Sequence, residues 1–179
     1  CKPFQGGKPT TMNEKNTLML GTRKGLITYQ IKGAGWKIRD TSFLGIPVSL
    51  THVDSRGGTW WACLDHGHWG QKLHRSNDQG KTWEEVEAPK YQEGMEIKPG
   101  VPASVKYLWA FADGGSDKED SLYVGSEPGG LFITEDGGNS FSLIESLWNH
   151  PSRSDHWFGG GRDHPGIHSI IVDPRDSNH

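Results

Sequence analysis

Two carboxylates and one cation occupy matching places in this 179-residue chain. Two residues on from the equivalent strand ends at Gly21, Cys63 and Gly125 stand Arg23, Asp65 and Glu127. Paired carboxylates on neighbouring loops suit general acid and base work, because unequal environments let one stay protonated while the other ionises. Asp65 is followed by His66, His68 and Trp69, and a later link supplies Arg153, Trp157, His164 and His168. Three readings of these side chains stay open. They satisfy the turns of their own long loops; or Trp69 and Trp157 are stacking platforms for a sugar or other small polar ligand; or His66, His68, His164 or His168 join Asp65 around a metal ion. Imidazole and carboxylate fit a zinc-like ion, although no diagnostic ligand spacing is present. No other cofactor is expected.

The elements that would position these groups are announced by a repeat. Ser76-Asn77-Asp78-Gln79-Gly80-Lys81-Thr82-Trp83 and Thr134-Glu135-Asp136-Gly137-Gly138-Asn139-Ser140-Phe141 share one pattern: hydroxyl, any, Asp, any, Gly, any, hydroxyl, aromatic. The Asp bonds backbone N–H groups of its own turn, and the Gly supplies a positive φ. Ser76, Asp78, Gly80, Thr134, Asp136 and Gly138 therefore read as structural, with Trp83 and Phe141 expected to be buried between strands. The run resembles the Asp-box, or BNR repeat, of the sialidase-like β-propellers, which implies an all-β fold of four-stranded antiparallel blades.

Strand patterns agree with that resemblance. Residues 16–44 read as a degenerate blade, 45–91 and 104–146 as blades with a box, and 167–179 as the first strand of a further blade, with 1–15 a flexible leader. His168 to Arg175 aligns with Ser49 to Arg56. Propellers close with about 4 to 8 blades. The chain is therefore read as an incomplete N-terminal part whose remainder comes from missing sequence or from another chain. Antiparallel parity puts the boxes on one face and the second-to-third turns and blade links on the other. Asp65, Glu127 and the histidines are thus expected together at the axial funnel.

The resemblance extends to a bacterial family of sialidase-type BNR proteins through Gly21-Thr22-Arg23-Lys24-Gly25, Ser126-Glu127-Pro128-Gly129-Gly130-Leu131-Phe132 and His168-Ser169-Ile170. It implies a glycan or other small polar ligand in the funnel, and glycoside hydrolysis as a candidate activity. True sialidases grip a carboxylate with several arginines, the first from an Arg-Ile-Pro motif. Here Phe43-Leu44-Gly45-Ile46-Pro47 has Gly45 in that place, and Arg23 is the substitute on offer. The alternative is a non-catalytic scaffold for protein assembly, similar to the propellers that help assemble photosystem II.

Composition narrows the classes further. A formal net charge of −3 with scattered Lys and Arg argues against nucleic acid as a partner. The 25 Gly, 10 Pro and 8 Trp beside 32% hydrophobic residues suit short strands, many turns and aromatic pins. No apolar run reaches the 18 or so residues of a membrane helix. Only Cys1 and Cys63 are present, so no disulfide framework is expected. A cytoplasmic protein starting at Met12 is the expectation; a lipoprotein acylated at Cys1 is the alternative.

Overall fold

The structure, a computed structural model, describes residues 16–178. The expected leader, with Cys1, lies outside the described residues. Strands β1 (Thr17–Thr22), β2 (Gly25–Lys32) and β3 (Gly35–Ser42) form a three-stranded sheet in that order. Strands β4 (Val48–Val53), β5 (Trp60–Asp65), β6 (Gln71–Ser76) and β7 (Glu84–Val86) form a four-stranded sheet. A ribbon of β8 (Glu96–Lys98) and β9 (Val101–Pro102) follows. Strands β10 (Tyr107–Asp113), β11 (Leu122–Glu127), β12 (Leu131–Thr134) and β13 (Ser142–Leu143) form the last sheet. Every pairing is antiparallel between chain neighbours, so each sheet is a meander.

The second sheet is the centre of the molecule because both its faces are apolar. In β5, Trp60-Trp61-Ala62-Cys63-Leu64 has no polar alternation, and all five residues are buried. Ala62 and Leu64 pack with Leu26 and Val48 toward the first sheet. Trp61 and Cys63 pack with Leu108, Val124 and Phe132 of the third. Burial pushes the Cys63 thiol up to about 12, so it behaves as a small core residue.

The two eight-residue turns are locked by their own side chains. Asp78 accepts from the Thr82 hydroxyl at 2.6 Å and the Thr82 N–H at 2.9 Å, while Ser76 Oγ accepts from the Gly80 N–H at 2.8 Å. Asp136 and Thr134 repeat this with Ser140 at 2.6 and 3.0 Å and the Gly138 N–H at 2.9 Å. These donors hold the Asp78 carboxyl at about 2, and the Ser140 hydroxyl leads the same downward shift at Asp136. Gly80 and Gly138 have φ of +82° and +87°.

Three expectations need correction. Trp83 and Phe141 are half-buried, because each stands just before a short strand, β7 or β13, at the edge of its sheet. The rings lying under the turns are Trp60, against Gly80, and Trp61, against Gly138. The blade expected over 104–146 ends its last strand at Leu143, and Ile144 caps helix α1 (Glu145–Trp148); α2 (Pro151–His156) follows. Residues 167–173 form no strand, since no second strand stands beside them to share a ladder among the described residues. Ile167 N–H does bond Ser126 O at 3.0 Å, so the segment still enters along the end of β11.

Candidate functional site

Register separates the two ends of each sheet. In β5, Trp60 pairs with Ser76 and Asp65 with Gln71, so Asp65 lies at the end away from the Asp78 turn. In β11, Leu122 pairs with Thr134, and Glu127 lies at the other end, opposite Tyr107 of β10. Glu127 is 3% exposed. Burying a carboxylate without a partner is costly, and the local structure provides two. Arg162 Nε donates to Oε2 at 2.7 Å and Trp109 Nε1 at 3.3 Å. The Arg162 guanidinium lies 5.3 Å from the Tyr107 ring and 5.2 Å from the Trp109 ring, in reach of a cation–π contact with each.

The turn carrying Glu127 is braced from behind. Tyr91, buried against Phe132 and Trp148, donates from its hydroxyl to Pro128 O at 2.7 Å and bonds Ser126 Oγ at 2.9 Å. Burial raises its phenol to about 12, so it stays a neutral donor. The Glu127–Pro128 peptide is cis. On the far side, the Trp157 ring lies over Gly129, where a Cβ would meet it at 3.0 Å. Gly166 presses on Trp109 in the same way.

These groups enclose a cavity of about 550 Å³ lined by Trp109, Glu127, Trp157, Arg162, His164 and His168 among others. A neighbouring cavity of about 340 Å³ shares Glu127, Arg162 and His164 and adds Lys106 and Asp163. Both open where the link after β13 folds back over the end of β11. The chemistry they offer is stacking on indole faces, hydrogen bonding to imidazole, and one fixed carboxylate–guanidinium pair.

The structure brings together four of the residues singled out in the sequence: Glu127, Trp157, His164 and His168. Asp65 lies close by, accepting from Gln71 Nε2 at 2.9 Å. Burial raises the Tyr107 phenol, the Asp65 charge adds to that, and Arg162 opposes it. The others stand apart. Arg23 is exposed in the β1–β2 turn. His66, His68 and Trp69 form a surface turn, with His68 edge-on to Trp69 at 5.5 Å and Trp69 71% exposed. Arg153 donates to Trp148 O at 2.6 Å and stacks on that ring, a bracing contact rather than a cavity wall. Among the described residues no three His, Cys, Asp or Glu side chains gather as a metal would require.

Arg162, Trp109 and Tyr107 were not foreseen. Tyr107 and Trp109 lie in β10, where Tyr107 pairs with Glu127 and Trp109 falls at the register shift between Leu108 and Ala110, which the alternation of the sequence does not announce. Arg162 follows Gly159-Gly160-Gly161, and nothing in that loop's sequence says which carboxylate it meets.

No protein-family model and no curated sequence matches the chain. Solved structures do. The chain is similar to the GH74 xyloglucanase from Xanthomonas campestris, at 16% identity and a TM-score of 0.56, over 97% of this chain and 24% of that one. It also matches YCF48 from Cyanidioschyzon merolae, at 18% identity and TM-score 0.46, covering 76% of this chain and 39% of that one. A structure described as YCF48 bound to D1 peptide matches at 14% identity and TM-score 0.45, covering 72% and 36%. The chain thus spans about a quarter of the xyloglucanase's length and under two fifths of the others'. Among the described residues, no helix is long and apolar enough to cross a membrane. Together with the three meanders, the likeness to the xyloglucanase shows the fold: the chain is all-β and forms an incomplete β-propeller.

Proposed function

We propose that this chain binds a polar, carbohydrate-like ligand in the cavity over the end of β11. The supporting observation is the floor of that cavity: a buried carboxylate, Glu127, held by Arg162 and Trp109, with the rings of Trp109 and Trp157 on the walls. Indole faces stack on the apolar face of a sugar ring, and the fixed charges order its hydroxyl groups. The sialidase-like resemblance agrees with a sugar ligand.

Binding is favoured over hydrolysis. Glycoside hydrolases commonly use two carboxylates flanking the bond. The larger cavity has Glu127 alone among its lining carboxylates, already paired with Arg162, and Asp65 is not in its wall. The scaffold reading draws on Phe158, 82% exposed at the cavity's edge, which suits an apolar side chain of a peptide.

The test is a tryptophan-fluorescence titration of the full chain with cellotetraose and with N-acetylneuraminic acid. Saturable binding weakened at least ten-fold by Trp157→Ala is expected for one of them. No saturable change with either sugar would retire the glycan reading.

A further inference from the structure

Glu127 keeps one oxygen free. Arg162 Nε at 2.7 Å and Trp109 Nε1 at 3.3 Å both donate to Oε2, and among the described residues nothing bonds Oε1. The Glu127 side chain is only 4% exposed, yet it lines both cavities over the end of β11. Buried polar atoms are as a rule bonded, so an acceptor left open at such depth points to a partner from outside the chain.

Arg162 is used just as sparingly. A guanidinium facing a carboxylate commonly makes two parallel N–H···O bonds. Here Nε alone reaches Glu127, and among the described residues neither terminal nitrogen has a hydrogen-bond partner. The Arg162 side chain is 48% exposed, and the Tyr107 and Trp109 rings beside it favour one placement of the guanidinium. The pair therefore presents a positioned acceptor, Oε1, next to positioned donors on Nη1 and Nη2.

Charge limits what can sit there. Lys106 and Asp163 add one charge of each sign to the smaller cavity, so the lining acids and bases balance. An anion placed on the free N–H groups would also face Oε1, and a cation placed on Oε1 would also face the guanidinium; either meets like charge. A neutral group that donates at one atom and accepts at its neighbour satisfies both sides. Two adjacent hydroxyl groups of a sugar ring do this: one O–H donates to Oε1, and the neighbouring oxygen accepts from Arg162. His164, half-buried and without a hydrogen-bond partner among the described residues, lines both cavities and offers a ring nitrogen to a further hydroxyl. The larger cavity, about 550 Å³, is of the size that takes small ligands.

We infer that the ligand is a neutral sugar recognised through a vicinal diol, with Glu127 Oε1 and the terminal N–H groups of Arg162 determining specificity. The inference rests on the glycan reading of the cavity and narrows it by excluding acidic sugars. Arg162 Nε and Glu127 Oε2 hold the pair together, and the atoms left over do the recognising.

Tryptophan-fluorescence titrations of the full chain test this with three probes: cellotetraose, N-acetylneuraminic acid, and cellotetraose methylated at every hydroxyl. Saturable binding is expected for cellotetraose alone. The methylated sugar keeps its ring faces and oxygens but has no O–H to give to Oε1. Glu127→Gln preserves the shape of the side chain and, with its oxygen toward Arg162 and Trp109, turns an amide N–H into the cavity where Oε1 stood. Cellotetraose is expected to bind this variant at least ten-fold more weakly, with far-ultraviolet circular dichroism unchanged. Binding of N-acetylneuraminic acid or of the methylated sugar as tight as that of cellotetraose, or cellotetraose binding indifferent to Glu127→Gln, would overturn the inference and leave the glycan reading in place. No saturable change with any of the three would end both.

Discussion

Gly138 and Trp61 meet across the boundary between two blades: a Cβ on Gly138 would lie 2.2 Å from Cη2 of the Trp61 ring. The Trp61 N–H is buried without a partner, so the side chain is there for its ring. Gly138 also holds φ at +87°. Gly138→Ala thus incurs both backbone strain and overpacking, and a loss of roughly 3 kcal/mol is expected. Gly80→Ala meets Trp60 at 3.0 Å and should lose about half as much. Urea unfolding of the two variants compares them directly.

Arg56 ties the second sheet to the third through three carbonyl oxygens, and its guanidinium is held for this by an ion pair with Asp54 of its own turn that is about nine-tenths buried. Removing the guanidinium leaves Asp54 uncompensated, so Arg56→Ala should cost about 3 kcal/mol. Arg56→Lys keeps the charge but loses the planar fork, and should recover only part of that. A Lys midpoint equal to that of wild type in thermal unfolding would mean that the fork geometry contributes nothing.

Glu127 and Arg162 should show strong coupling. Arg162→Ala leaves a buried carboxylate with only the Trp109 donor, at an expected cost of about 3 kcal/mol. Adding Glu127→Gln removes the stranded charge, and the double variant should regain most of the loss. A double-mutant cycle reads the coupling, and additive effects would show that the pair is not a unit.

Asp113 makes stability sensitive to acid. Burial alone would raise its carboxyl, but hydrogen bonds from His52 and from Ser55 hold it at about 2, below the ordinary value near 3.9. A group depressed on folding contributes stability that is complete above its unfolded value and is lost as pH falls through the folded one. The advantage of wild type over Asp113→Asn should hold from about pH 7 to about pH 5 and shrink toward about pH 2. Urea midpoints across that range would show a constant gap if Asp113 were not responsible.

Much of the fold was written locally. Hydroxyl, Asp and Gly at fixed offsets in Ser76–Trp83 and Thr134–Phe141 close their turns with bonds inside eight residues, so no distant contact was needed to foresee them. The apolar run from Trp60 to Leu64 is legible as a strand, and the structure covers it on both faces. Asp65 and Glu127 could be placed away from those turns because antiparallel parity needs only strand order. Tertiary packing decided the rest. Which ring lies under which glycine, that Arg162 rather than Arg23 reaches Glu127, and that His68 and Trp69 turn to solvent all depend on how separate sheets and a long link meet. Such contacts join residues tens of positions apart, and the energy that selects among them comes from burial and charge pairing in the assembled molecule, which no local pattern encodes.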